Sequence, residues 1–71
     1  MIEVFKTNVI EVDVSKQIIQ KLLEHFPNGK INFDLDDSDK ILRIETAFFE
    51  NENVNSILKS MGYQCEVLPD K

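Results

Sequence analysis

Hydrophobic and polar positions alternate along this chain with a period that switches from strand-like to helix-like and back. Ile2 to Thr7 alternates apolar and polar residues and is rich in β-formers, which predicts a first strand. Val9, Ile10 and Val12 follow in a loop less polar than most. Beyond it, Val14, Ile18, Ile19, Leu22, Leu23 and Phe26 recur at helical spacing, a helix with a broad buried stripe. Asp13 or Ser15 is its expected cap, because a short side-chain oxygen can accept from an unpaired N–H of the first turn. Pro27-Asn28-Gly29 stops it.

Ile31, Phe33 and Leu35 alternate with Asn32, Asp34 and Asp36, a half-buried strand. Asp37-Ser38-Asp39 makes a turn, and Ile41 to Glu45 returns as the hairpin partner. A loop through Phe48 and Phe49 leads to Asn51, a good helix cap. Of the two consecutive phenylalanines, one can enter the core while the other stays exposed or half covered. Val54, Ile57, Leu58 and Met61 form the stripe of a second helix, with Gly62 as its stop. Tyr63 to Leu68 is the last strand. The order β-α-β, β-α-β over residues 1–71 predicts one α+β domain of ferredoxin-like type, a four-stranded antiparallel sheet with both helices on one face.

Composition narrows the function classes. A chain of 71 residues has room for one core, and a domain this small buries only about 60% of its unfolded surface. Its one cysteine cannot form an internal disulfide, which fits a reducing compartment. The start, Met1-Ile2-Glu3-Val4-Phe5-Lys6, carries an acid where a signal peptide wants bases, and no apolar run suits a membrane span, so a cytoplasmic location is expected. The net charge of −5 repels phosphate backbones and disfavours nucleic acid.

Four stretches stand out: Val4 to Phe26, the strand Ile31-Asn32-Phe33-Asp34-Leu35, the return strand Leu42-Arg43-Ile44-Glu45, and the close Ile57-Leu58-Lys59-Ser60-Met61-Gly62-Tyr63. Together they resemble the heavy-metal-associated domain family, the fold of small copper chaperones and of the N-terminal modules of metal-pumping ATPases. That family's chemistry resides in a C-x-x-C at the loop entering the first helix, where two thiolates hold a soft cuprous or zinc ion. Here those positions fall on Glu11 and Val14, or on Val12 and Ser15, and the family's loop methionine falls on Val9 or Ile10. Valine ligates no metal, and a lone glutamate is a hard, poor ligand for copper(I). The resemblance therefore implies the frame without soft-metal transfer.

Other chemistry-bearing residues read as structural. Cys65 alternates in phase with Val67 and is expected to be a small buried hydrophobe, with a reactive thiol as the competing reading. His25 lies near the end of the first helix, where a positive charge suits the macrodipole, and no nucleophile accompanies it. Asp34, Asp36, Asp37 and Asp39 form an acidic cluster without the glycine and closing glutamate of a calcium loop, so a solvated hairpin tip is expected.

By strand parity the sheet face away from the helices should carry Glu3, Phe5, Asn32, Asp34, Ile41, Arg43, Gln64, Glu66 and Leu68. RNA-recognition domains share this topology and stack bases on such a face, but one aromatic among acids does not serve that purpose. The expected function is a non-enzymatic module, without cofactor, that binds an unknown protein partner or forms a homodimer through Phe5, Asp34, Ile41, Arg43 and Glu66. Neither nucleic acid nor membrane is an expected partner. The alternative is residual metal binding through Cys65 with Met1, His25 or carboxylates. No convergent set of polar groups marks an enzyme.

Overall fold

The structure is a computed structural model that describes residues 1–47 and 51–69. Its elements run β1 (Ile2–Thr7), α1 (Val12–His25), β2 (Lys30–Asp34), β3 (Ile41–Glu45), α2 (Asn51–Ser60) and β4 (Cys65–Val67). All four strands form one antiparallel sheet in the order β2-β3-β1-β4, so β1 and β3 are central and both halves are split βαβ units. The expected ferredoxin-like α+β fold is therefore the one observed. Among the described residues, α1 packs toward β2 and α2 toward β4, and the two helices touch each other.

The core lies between the helices and one sheet face. Ile18 and Leu22 of α1, with Val54 and Leu58 of α2, meet Phe5, Leu42 and Ile44 of the central strands, all without exposed surface. The sheet register assembles this layer row by row. Phe5 pairs with Leu42 on one side and Val67 on the other, and Leu42 pairs with Phe33, so one apolar row crosses all four strands. Directly opposed residues share a face, which places Phe33, Leu42, Phe5 and Val67 together under the helices.

This corrects the expected parity of β1. Phe5 does not lie on the open face; it is 0% exposed at the centre of the core. Ile2, Val4 and Lys6 face away from the helices instead, and Glu3 shares the side of Phe5. The sequence IEVFKT has apolar residues in both phases, so alternation within the strand does not decide between them. The larger ring wins the dry side because an aromatic side chain buries about 150–250 Å². Val9, also 0% exposed, continues the phase of Phe5 and Thr7 into the loop.

Helix boundaries differ from expectation for local reasons. Glu11, not Asp13 or Ser15, is the N-cap of α1, and its side chain makes no capping bond. Asp13 lies within the first turn, where a carboxylate favours the helix dipole. Ser15 faces inward at 5% exposure and its hydroxyl donates to the Val12 carbonyl at 2.6 Å, which satisfies it without water. The buried stripe of α1 is narrower than predicted, since Leu23 is 36% exposed.

Asn51, read as a cap, is the first residue of α2, while Phe48 and Phe49 lie outside the described residues. At the other end of α2, the Tyr63 N–H donates to the Leu58 carbonyl at 2.8 Å and the Gly62 N–H to the Lys59 carbonyl at 3.0 Å, a Schellman motif. It turns on Gly62 at φ 89°, a conformation that glycine adopts without a Cβ clash. Because Gly62 and Tyr63 close the helix, β4 begins only at Cys65 and is three residues long.

The parity of β1 is checked by paired substitutions. Phe5→Ala should lower stability by about 3–5 kcal/mol, as expected for emptying a packed aromatic site, and Ile2→Ala by no more than about 0.5 kcal/mol. Urea midpoints measure both, and equal effects would contradict the observed facing.

Candidate functional site

Four strands bring the predicted surface residues into two adjacent rows of the open face. Asp34, Ile41, Lys6 and Glu66 stand opposite one another across β2, β3, β1 and β4. The next row holds Asn32, Arg43 and Val4. Asp34, Ile41, Arg43 and Glu66 thus come together as expected, with Lys6 and Val4 in the places assigned to Phe5. Their exposure changes the character of the patch. Val4 and Ile41 are 6% and 2% exposed, whereas Asp34, Arg43, Lys6 and Glu66 are exposed. The apolar centre is already covered, and Arg43 opposite Val4 and Lys6 opposite Ile41 have the apolar stems that can shield such residues. What the face shows to solvent is a mixture of both charges, with Ile2, 56% exposed, at one end of β1.

A concave stretch of apolar surface lies elsewhere, at the sheet edge. Among the described residues, strand β2 has a neighbour on one side only. Beside it, Val12, Ser15, Lys16 and Ile19 of α1 and the run Asn32 to Asp36 enclose an open groove of ≈ 410 Å³. Val12 is 58% exposed at its mouth, and Phe33 and Leu35 are half-buried in its wall. Sequence reasoning missed this groove because it treated β2 by face and not by edge. The signal was present in the run Lys30-Ile31-Asn32-Phe33-Asp34, which becomes an edge once β1 and β3 are taken as the central pair.

Asp37 and Asp39 of the acidic cluster are occupied by structural work at the hairpin tip. Asp37 Oδ1 accepts from the Asp39 N–H at 2.8 Å, an Asx turn. Lys40 follows with φ 49°, a left-handed conformation that a non-glycine residue adopts only when held. Its N–H donates to the Asp37 carbonyl at 3.0 Å, its ammonium to the Leu35 carbonyl at 2.8 Å, and its own carbonyl accepts from the Thr7 hydroxyl at 2.6 Å. The Thr7 Oγ1 also accepts from the Val9 N–H at 3.2 Å, and the Thr7 N–H donates to the Asp39 carbonyl at 3.1 Å. Thr7 thereby ties the tip to the β1–α1 loop. Among the described residues no group of three or more His, Cys, Asp or Glu side chains is placed to hold a metal ion.

In that loop, the positions where the resemblance would put thiolates lie at the start of α1: Glu11 at the cap, Val12 first in the helix, Val14 half-buried and Ser15 buried. Ile10 is 69% exposed. The Asn8 side-chain oxygen accepts from the Gln64 N–H at 2.8 Å, joining the loop to the approach of β4.

Cys65 is partly buried against the core, in phase with Val67 as predicted. Its thiol donates to Asn55 Oδ1 at 2.9 Å, and burial raises its pKa from 9.0 to about 11. His25 is the last residue of α1 and is exposed. None of the described helices is long and apolar enough to cross a membrane.

No family model, curated protein or solved structure matches this chain.

The thiol environment has a measurable consequence. Iodoacetamide should modify native Cys65 more slowly than the urea-unfolded chain at pH 8, and the native rate should climb until about pH 11. Because folding raises this pKa, the associated stability is complete below pH 9.0 and is lost as the pH rises through about 11. Equal rates of modification in the two states would refute the burial of this thiol.

Proposed function

We propose that this protein is a non-enzymatic interaction module, a frame like that of the heavy-metal-associated family without its soft-metal site, which binds a protein partner or itself. One observation carries the reading: a five-residue edge strand lies open beside an apolar groove. Unpaired N–H and C=O groups along such an edge can bond another strand, and alternate side chains entering a groove add selectivity. The same module needs no metal. Glu11, Val12, Val14 and Ser15 offer no soft ligand at the head of α1. Cys65, with its pKa near 11, stays protonated at neutral pH and is therefore a weak starting point for the metal-binding alternative.

The predicted surface of Asp34, Ile41, Arg43 and Glu66 keeps a role in this reading, but a secondary one. Asp34 on β2 and Arg43 beside it on β3 lie on the open face and steer what approaches the edge, whereas Glu66 stands on β4 at the far side of the sheet. A cytoplasmic location accords with the single free thiol and with an acidic surface.

Val12 tests the reading, since it borders the groove and its exposure makes substitution tolerable to the fold. Wild-type protein used as bait in a lysate of its host should retain a partner, another protein or this chain itself, and Val12→Lys should retain at least about tenfold less. A tenfold loss is about 1.4 kcal/mol. Equal retention by both baits, or none by either, would overturn the proposal.

A further inference from the structure

Edge strand β2 reads Lys30-Ile31-Asn32-Phe33-Asp34, and its charge pattern is complementary to itself when reversed. If a second copy of the strand is laid antiparallel with Asn32 at the centre, Lys30 faces Asp34 twice, Ile31 faces Phe33 twice, and Asn32 faces Asn32. Opposed residues share a face in this arrangement. The two charged pairs therefore lie on the open side of the sheet, and the two apolar pairs lie on the helix side, along the groove that Val12 and Ile19 border. Both copies keep their helices on the same side. We propose that the occupant of the β2 edge is a second copy of this chain, paired about a two-fold axis at Asn32 to give one continuous eight-stranded sheet. The inference rests on the interaction reading above and supplies its partner.

Several features of the molecule favour this edge and this register. Lys30 and Asp34 are exposed, and neither is engaged in an ion pair among the described residues, so both are available across an axis. The opposite edge is a poorer template. Strand β4 has only three residues and is followed within two positions by Pro69, which has no N–H to donate. Edge strands are commonly protected by charge, and one charge of each sign repels most incoming strands at one end or the other. A copy of the same strand is the exception, because reversal brings each charge to its opposite. This makes the edge selective for itself.

The affinity should be modest. Each cross-strand pair contributes about 0.2–1 kcal/mol, and the net charge of −5 on each copy opposes approach. Salt screens that long-range repulsion, with a Debye length of about 8 Å at physiological strength, while leaving backbone bonds and apolar contacts in place. A dimer that forms as concentration rises is the expected behaviour, and symmetry makes it closed, so it ends at two copies.

The register is tested by charge exchange. Light scattering over a concentration series should show wild type moving from 8.2 kDa toward twice that mass. Lys30→Asp sets two acids against each other at each charged pair, and Asp34→Lys sets two lysines there. Each single variant should therefore dimerise at least roughly tenfold more weakly, by like-charge repulsion between directly opposed residues. Lys30→Asp combined with Asp34→Lys should restore wild-type behaviour. A mixture of the two single variants should form a heterodimer, because one copy then offers two acids and the other two lysines. Circular dichroism identifies any variant that fails to fold, and the mixing experiment needs only two folded partners.

Wild type that stays monomeric at millimolar concentration overturns the proposal. So does a dimer indifferent to all of these exchanges, which would place the contact elsewhere. Should the bait experiment with Val12→Lys succeed while the wild type remains monomeric, the interaction module stands and its partner is a different protein. Failure of both removes the module itself.

Discussion

A single apolar row holds the architecture together: Phe33, Leu42, Phe5 and Val67, one residue from each strand, lying side by side beneath the two helices. Phe5 is its keystone because β1 pairs on both sides, and Phe5 takes part in both pairings. A one-residue slip in β1 would send this ring to the open face and bring Val4 and Lys6 inward. The cost of burying a lysine and exposing a phenylalanine excludes that slip. The register of β3 and β4 against β1 then follows, and with it the composition of both faces. In a domain of 71 residues with no disulfide, little else can compensate for losing this row.

Fixing the core side in this way leaves the polar residues to manage the chain reversals. Thr7 is the clearest case, because one hydroxyl donates to the Lys40 carbonyl and accepts from the Val9 N–H. The tip of the β2–β3 hairpin and the loop into α1 are joined through that atom. Lys40 offsets the strain of its left-handed backbone with bonds donated by its N–H and its ammonium and one accepted by its carbonyl. Asp37 and Asp39 are engaged in the same turn. This half of the densest acidic stretch is thus scaffolding, and the turn it builds follows directly on the end of β2.

The open edge and the covered face divide the surface into two kinds of region. On the face, Val4 and Ile41 are shielded, and the side chains in solvent are mainly polar, Lys6, Asn32, Asp34, Arg43 and Glu66, with Ile2 at one end of β1. Charges in such a setting are well hydrated and contribute little apiece. Beside β2, by contrast, the half-buried Phe33 and Leu35 line a groove, and among the described residues no strand pairs with the outer side of β2. Desolvation is cheaper there and backbone bonds can form, which is why the proposed recognition centres on the edge and not on the face.

Much of this is written in the sequence. The period-two runs and helical stripes place every element, because each is a local consequence of burying one side of a strand or helix. Gly62 as a helix stop, the Asp37-Ser38-Asp39 turn and the core phase of Cys65 with Val67 are legible for the same reason. The facing of β1 is not, since IEVFKT offers apolar residues in both phases and only the competition between Phe5 and Val4 for the helix side settles it. The cap of α1 escapes local reading because Ser15 is drawn inward by packing and satisfies itself on Val12. The groove by β2 belongs wholly to the tertiary structure. Local pattern determines which side of a strand is dry, whereas which strand has no neighbour depends on how distant segments pair.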